Sequence, residues 1–198
     1  MNKDAAAMAV QHRESEAVVA ALASHHGRLL AIADRLAATL EAGGTVFLCG
    51  NGGSAADAEH VATELVGRFL RERRPLPAIA LTCNTPLLTA LGNDYDFAQI
   101  FSRQVRAHVS ERDCLVGIST SGRSPNVLEA LRAARLIGAT TIGFTGASGS
   151  ELAALCDECL MAPSTSTPRI QEAHLLAWHL VCDAVERRFT AAVAGLEQ

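Results

Sequence analysis

Two short apolar segments of this chain each lead into a turn rich in glycine and hydroxyl residues, and each turn is followed by helical spacing. The first turn is residues 49–54 (CGNGGS), and the second is residues 118–124 (ISTSGRS). A strand, such a turn and a helix in this order present backbone N–H groups and hydroxyls at a helix N-terminus, which suits a phosphate. Because glycine and serine are common in any loop, one such turn is weak evidence. Two of them, with a histidine and a carboxylate close behind the first, favour a phosphosugar site.

The remaining sequence alternates short apolar strands with helical segments, which predicts an α/β fold whose parallel sheet is covered on both faces. Two further helices are predicted ahead of the sheet, within residues 1–42, and they are expected to pack on it or on a partner chain. The 198 residues contain no visible linker or repeat, so a single domain is expected. Strands are predicted at 45–49, 78–82, 113–118, 140–145 and 158–162, helices at 4–24, 27–42, 54–68, 86–91, 97–109, 124–137, 151–155 and 168–194, and a loop at 92–94.

Composition excludes several classes of partner. The formal net charge is -4 and the sequence pI is about 6.0, which argues against a nucleic-acid-binding surface. No apolar stretch reaches the length of a membrane span, and the N-terminus lacks the apolar segment of a secretory signal. We therefore expect no membrane association and a cytoplasmic location.

Ligands of such a sheet bind beyond the carboxyl ends of the strands, and both turns are predicted to lie at that edge. The second turn supplies four hydroxyls within six positions, and Gly122 allows the backbone to turn tightly. Helix capping is the simpler alternative, but a cap accounts for only one hydroxyl. Phosphate contact is therefore the favoured interpretation for Ser119, Thr120, Ser121 and Ser124.

His60 and Glu64 are four residues apart on the predicted helix after the first turn, so they share a face. They form either a surface pair or a base and metal ligand that project into the crevice. On the last helix, a lone histidine such as His174 or His179 is more often a packed residue than a ligand. Gln171 and His179 are separated by about 12 Å of helix rise, a long reach for two ligands of one ion. Either long side chains incline towards each other, or the ligands come from different subunits.

Taken together, these motifs resemble those of the SIS (sugar isomerase) family, in particular its sedoheptulose 7-phosphate isomerases. The resemblance covers nearly the whole chain, and the order of the motifs makes it specific. The motifs that carry it are residues 49–54, His60-x-x-x-Glu64, Gly67-Arg68, Gly92-Asn93-Asp94, residues 118–124 and Arg169-Ile-Gln-Glu-x-His174-x-x-x-x-His179.

The resemblance implies a flavodoxin-like three-layer sandwich with a five-stranded parallel sheet, assembled as a cytoplasmic homotetramer with interfacial active sites. It implies interconversion of sedoheptulose 7-phosphate and D-glycero-D-manno-heptose 7-phosphate, the entry step to heptose nucleotides for lipopolysaccharide or other surface glycans. Glu64 would be the base that moves a proton between C1 and C2, and His179 its acid/base partner.

The resemblance also implies a ligand set and a substrate pocket. One zinc ion per subunit would be bound by His60, Glu64, Gln171 and His179. The residues implied to contact substrate are Asn51, Gly52, Gly53, Ser54, Glu64, Arg68, Asn93, Asp94, Ser119, Thr120, Ser121, Ser124 and Gln171.

The sequence departs from the family pattern at Arg123, where asparagine is expected. This arginine either adds a charge-assisted phosphate contact or is simply solvated. Two other kinds of SIS protein compete with the enzyme. One associates with the bacterial replication initiator and lacks the Glu/His pair, whereas Glu64 and His179 are present here. The other senses a phosphosugar through the same phosphate contacts, so only turnover distinguishes it.

Overall fold

The computed structural model describes residues 2–190, and at its centre is a five-stranded sheet in which every pairing is parallel. The strand order is β2-β1-β3-β4-β5, which confirms the predicted α/β fold. The chain winds one way from β1 to β2 and the other way from β3 onwards, so a crevice opens at the carboxyl ends of β1 and β3. The strands are β1 (Val46–Gly50), β2 (Ala78–Ala80), β3 (Cys114–Ser119), β4 (Thr140–Gly146) and β5 (Glu158–Ala162).

Helices cover both faces of the sheet and form two large cores, beside a small cluster of Ala162, Ile170 and Ala173. Neighbouring residues of one strand point to opposite faces, so Phe47 belongs to one core and Leu48 to the other. Helices α2, α3 and α8 close the core of Leu48, and α4 to α7 close the core of Phe47. The helices are α1 (Lys3–Ala21), α2 (His26–Glu41), α3 (Gly53–Val66), α4 (Thr85–Asp94), α5 (Ser102–His108), α6 (Pro125–Ile137), α7 (Ser150–Ala153) and α8 (Thr167–Thr190).

The two N-terminal helices pack differently. Helix α2 has a buried apolar face that includes Leu29, Ile32 and Leu36, so it belongs to the main core. Helix α1 has no buried residue and runs beside α8, where Nη1 of Arg169 donates to the backbone oxygen of Gln11 at 2.5 Å. None of the described helices has both the length and the apolarity that crossing a membrane requires.

The predicted and observed elements differ most over residues 92–109. The loop predicted at 92–94 is wrong: α4 continues to Asp94, and the backbone N–H of Tyr95 still donates to Leu91. Burial of Leu91 outweighs the turn tendency of the Gly-Asn-Asp segment. The helix predicted at 97–109 is a 3-10 turn, Phe97–Gln99, followed by α5. The last helix is confirmed to Thr190, and the rest of its predicted range lies outside the described residues.

Candidate active site

The first turn connects β1 to α3 and lies against α8. Gly52 has φ of +55°, a conformation that residues with a Cβ rarely adopt. A Cβ placed on Gly53 would lie 2.2 Å from Nε2 of Gln171, so the glutamine side chain occupies the space that glycine leaves open. Ser54 follows and is buried in the first turn of α3. The structure therefore brings Gln171 to the first turn.

The second turn gathers its hydroxyls on one side. Oγ of Ser119 lies 2.9 Å from Oγ of Ser124 and 3.5 Å from Oγ of Ser121. Ser124 occupies the N-cap position of α6, yet its side chain makes no capping hydrogen bond. Capping is therefore not what Ser124 does, and its hydroxyl remains available with that of Ser119 for a ligand.

Gly122 sets the shape of the second turn. Its φ is +65°, and a Cβ there would lie 2.3 Å from Cα of Gly149. Beside it is a cavity of about 250 Å³, whose lining includes Thr120, Ser121 and Arg123. Thr120 and Ser121 are thus exposed to a polar cavity, and Arg123 is the cation at its edge.

The two turns are joined directly by a pair of amides. Nδ2 of Asn51 donates to Oδ1 of Asn126 at 2.8 Å, and Nδ2 of Asn126 donates to Oδ1 of Asn51 at 2.8 Å. Asn126 is 1% exposed and lies in the first turn of α6. Sequence reasoning missed Asn126, although it lies only two positions beyond the hydroxyl set.

Two imidazoles and a carboxylate meet where α3 passes α8. Nε2 of His60 lies 3.1 Å from Nε2 of His179 and 3.4 Å from Oε1 of Glu64. The Phe69 ring stacks on the His179 ring, with centroids 5.5 Å apart and an interplanar angle of 28°. His60 and Glu64 form a pair on α3 whose side chains are 41% and 19% exposed, and His179 of α8 lies beside His60. Their role as a base and metal ligand in the crevice stays a prediction.

Gln171 and His179 contact different parts of α3. Gln171 lies against Gly53, at the start of that helix, whereas His179 lies against His60, two turns later. The separation that the sequence predicts along α8 is therefore matched by a similar separation along α3. Within one chain, Gln171 and the histidine pair lie along adjacent parts of the contact between α3 and α8.

The residues implied as zinc ligands can be compared with the geometry of a tetrahedral zinc site. Two ligands of a tetrahedral zinc ion lie about 3.3–3.5 Å apart, close to the separations from Nε2 of His60 to His179 and to Glu64. Imidazole nitrogen and carboxylate oxygen are both ordinary zinc ligands. Among the described residues, however, no three His, Cys, Asp or Glu side chains are arranged together as a metal site. The His60–His179 and His60–Glu64 pairs fit zinc in chemistry and spacing. The four ligands that the resemblance implies are not brought together within one chain.

Asp57 is a carboxylate that sequence reasoning missed. It lies one turn before His60 on α3, and its Oδ2 is buried without a hydrogen-bond partner. Burial raises the pKa of Asp57 to about 6, and His60 partly opposes that shift. The three-residue spacing from Asp57 to His60 is the signal in the sequence that would have placed it beside the pair.

The other predicted site residues are more peripheral. Arg68 follows the end of α3 and is exposed. Asn93 and Asp94 are exposed at the end of α4, where Nδ2 of Asn93 donates to Oδ1 of Asp94 at 2.8 Å. The described contacts do not connect these three residues to the two turns.

His174 fits the packed alternative. Its Nε2 lies 3.1 Å from the backbone oxygen of Thr145, and its ring edge meets Phe144 in the core. Burial lowers the pKa of His174 to about 4, although the Thr145 carbonyl opposes the shift. A histidine in this environment stays neutral near pH 7 and holds α8 to the end of β4.

Comparison with known proteins identifies the family of this chain. Residues 8–146 match the SIS domain family. A phosphoheptose isomerase from Rhodospirillum rubrum is 59% identical over 149 residues, which are 75% of this chain and 79% of that protein. A phosphoheptose isomerase from Bradyrhizobium sp. is 49% identical over 190 residues, 94% of this chain and 96% of that protein.

The fold agrees equally well with a solved structure. The structure of a phosphoheptose isomerase from Francisella tularensis superimposes with a TM-score of 0.90 at 36% identity, covering 93% of this chain and 99% of that one. Relatives this similar over most of both chains identify the branch as well as the fold. This chain therefore belongs to the SIS domain family and, within it, to the phosphoheptose isomerases, which are sugar-phosphate isomerases.

Proposed function

We propose that this isomerase interconverts D-sedoheptulose 7-phosphate and D-glycero-D-manno-heptose 7-phosphate through a 1,2-enediol. The observation that carries the proposal is that Nε2 of His60 lies 3.4 Å from Oε1 of Glu64 and 3.1 Å from Nε2 of His179, which puts a carboxylate and an imidazole close together. Aldose–ketose isomerisation needs one group to move a carbon-bound proton and another to move protons on oxygen, and these residue types suit those tasks. The family relationship supports the choice of substrate.

The substrate phosphate would be held by the second turn. The hydroxyl of Ser119 lies 2.9 Å from that of Ser124 and 3.5 Å from that of Ser121, and Thr120 lines the cavity that Ser121 also lines. The N-terminus of α6 adds a favourable dipole for an anion. Arg123 lines the same cavity, and we propose that it adds a charge-assisted contact to the phosphate.

The first turn would hold the sugar between the phosphate and the reacting carbons. Gln171 already contacts Gly53 there, and the Asn51–Asn126 pair fixes this turn relative to the phosphate turn. Gly52 and Gly53 present backbone N–H groups at the start of α3, which would donate to sugar oxygens, whereas the N–H of Ser54 donates to the backbone oxygen of Asn51 at 3.0 Å. Arg68, Asn93 and Asp94 remain proposed contacts that substrate binding would have to bring in.

The proton transfers follow from this arrangement. Starting from the ketose, Glu64 removes a proton from C1 while His179 protonates the oxygen on C2, giving the enediol. His179 then accepts the proton from the oxygen on C1, and Glu64 returns its proton to C2, which gives the aldose. Glu64 is partly buried, with 19% side-chain exposure, so little water competes for the proton it carries.

Zinc is the proposed cofactor, one ion per subunit, with His60, Glu64, His179 and Gln171 as its ligands. When bound, the ion would act as a Lewis acid that stabilises negative charge on the substrate oxygens. Because Gln171 and His179 contact different turns of α3, we propose that ligands from neighbouring subunits of a homotetramer complete the site. The product would feed heptose nucleotide synthesis for surface glycans such as lipopolysaccharide, in the cytoplasm.

Incubating the purified protein with sedoheptulose 7-phosphate and measuring heptose 7-phosphate formation tests this proposal. Glu64→Gln keeps the shape of the side chain but removes the base, so turnover should fall at least about 1,000-fold with the fold unchanged. Glu59→Gln is the matched control, because Glu59 is exposed on the same helix and accepts a hydrogen bond from the hydroxyl of Thr82.

Three results would contradict the proposal. Full activity in Glu64→Gln would remove the mechanism. Tight binding of the sugar phosphate without turnover by the parent would indicate a sensor. Inactivity of the parent together with binding to a replication initiator would favour the non-catalytic class.

A further inference from the structure

Glu186 is a buried carboxylate on α8, about two turns beyond His179. It is 1% exposed and accepts hydrogen bonds from three successive backbone N–H groups, those of Phe69, Leu70 and Arg71, each at 2.9 Å. Burial alone would raise the pKa of Glu186, but these N–H groups and Arg73 outweigh it and hold the pKa below its usual value. The carboxylate therefore stays ionised and anchors the loop of residues 67–73 to α8.

Arg73 connects the same anchor to the end of α3. Its Nε lies 3.7 Å from Oε1 of Glu186, and both side chains are almost fully buried. Its Nη2 donates to the backbone oxygen of Glu64 at 2.6 Å, and its Nη1 donates to that of Gly67 at 2.9 Å. Carbonyls at a helix C-terminus have no intrahelical partner, so Arg73 satisfies the last turn of the helix that carries Glu64.

Phe69 connects the anchor to the histidine pair. Its backbone N–H is held by Glu186, and its ring stacks on the His179 ring. An imidazole that rotates about its side-chain bonds is a poor acid–base group, because proton transfer needs a defined distance and direction. The ring of Phe69 closes one side of His179 and so restricts that rotation.

We propose that Glu186 is a positioning residue for the isomerase reaction, which orients the His179 ring through Phe69 and the end of α3 with Glu64 through Arg73. The inference rests on the proposed function. Glu186 then fixes the positions of both Glu64 and His179, although it contacts neither of them directly. Misplacement of a reacting group by about 1 Å costs up to about 100-fold in rate, so release of this anchor should act on kcat.

The test compares the parent with Glu186→Gln and Glu186→Asp. Glutamine cannot accept from all three N–H groups through one oxygen, and aspartate retains the charge with a shorter reach. We expect kcat to fall about 10-fold to 100-fold in Glu186→Gln with KM within about twofold, and to fall less in Glu186→Asp. The matched control is Asp183→Asn, which breaks the ion pair with Arg71 one turn earlier on α8 but leaves the three N–H contacts in place.

A second readout does not depend on turnover. The ring protons of His179 are shifted by the stacked Phe69 ring, so their NMR signals in histidine-labelled protein report the stacking directly. Phe69→Leu and Glu186→Gln should move these signals in the same direction, and Asp183→Asn should leave them in place. An inactive parent would contradict the proposed function but leave this measurement valid.

Two outcomes would overturn the inference. The first is a folded Glu186→Gln variant with parental kcat and unmoved His179 signals. The second is a melting temperature that falls while kcat and the signals of the folded fraction stay parental, since that is the result of a purely structural role. If Glu186→Gln does not fold because Arg73 loses its counter-charge, the same criteria apply to Glu186→Asp.

Discussion

Asn51 and Asn126 exchange two hydrogen bonds of 2.8 Å between the turn after β1 and the helix after β3. The strands themselves are neighbours, with Gly50 paired to Ile118, but strand pairing alone leaves the two turns free to move apart. The paired amides connect the turn after β1 to the first turn of α6 and hold the two turns of the candidate site at one spacing. This is the most direct link between the two parts of the candidate site.

Loss of this link should weaken substrate binding. In Asn126→Leu the Asn51 amide loses both partners, so we expect KM to rise about 10-fold or more and the free energy of unfolding to fall by about 1–3 kcal/mol. Steady-state kinetics and urea unfolding measure the two effects. Gln104→Leu is the control, because its buried amide also has two partners, the backbone oxygens of Leu81 and Ile100. A rise in KM of the same size in Gln104→Leu would show that the effect is only global.

Gly122→Ala should disable the phosphate turn. Alanine at φ of +65° is strained, and its Cβ would lie 2.3 Å from Cα of Gly149, so the turn has to shift. We expect the inhibition constant of inorganic phosphate, a competitive inhibitor, to rise at least about 10-fold in this variant, measured at constant ionic strength. Gly27→Ala is the control, because a Cβ there meets nothing within 4 Å, and the change should be neutral or stabilise α2 by up to about 1 kcal/mol. Unchanged inhibition by phosphate in Gly122→Ala would contradict the role of this turn.

His174 should make stability depend on pH. Burial lowers its pKa to about 4, against the ordinary histidine value of 6.5, so between these values the unfolded chain binds more protons. Its contribution is fully present above pH 6.5 and is lost as the pH falls towards 4, by about 3 kcal/mol in total.

The measurement is urea unfolding of the parent and of His174→Leu between pH 4 and 7.5. The free energy of unfolding of the parent minus that of His174→Leu should fall as the pH falls, because protonation of this ring favours unfolding only in the parent. Asp57, whose pKa is raised to about 6, acts with the opposite sign over part of the same range, but it is common to both proteins. A pH-independent difference would show that His174 is not buried as described. His12→Gln, exposed on α1, serves as the control.

Removal of one imidazole should release the metal. We expect the parent to retain about one zinc ion per chain after dialysis and His60→Ala to lose most of it. The reason is that Glu64 and His179 both lie within 3.4 Å of Nε2 of His60. Elemental analysis of the dialysed proteins is the measurement, and it does not require activity. His108→Ala, exposed at the end of α5, is the control. Zinc retained equally by His60→Ala would remove this residue from the ligand set.

Much of the fold is predictable because its signals are local. Apolar strands alternate with helices at the periods that the backbone imposes, so the parallel sheet and both turns follow from residues near each other in the chain. The segment 92–94 shows the limit of local signals, since its turn-forming residues continue α4 once Leu91 is buried. Long-range packing decided where α4 ends, and a local sequence pattern does not contain that information.

The sequence by itself determined the fold class, the hydroxyl-rich turn and the presence of a carboxylate and a histidine suited to proton transfer. Only the tertiary structure decided which of them meet. It brought His60 to His179 across 119 positions and Asn51 to Asn126 across 75. It also separated Gln171 from the histidine pair and placed Glu186 behind it. The physical reason is that periodicity fixes the face of a helix on which a residue lies, whereas long-range packing selects the element that this face contacts.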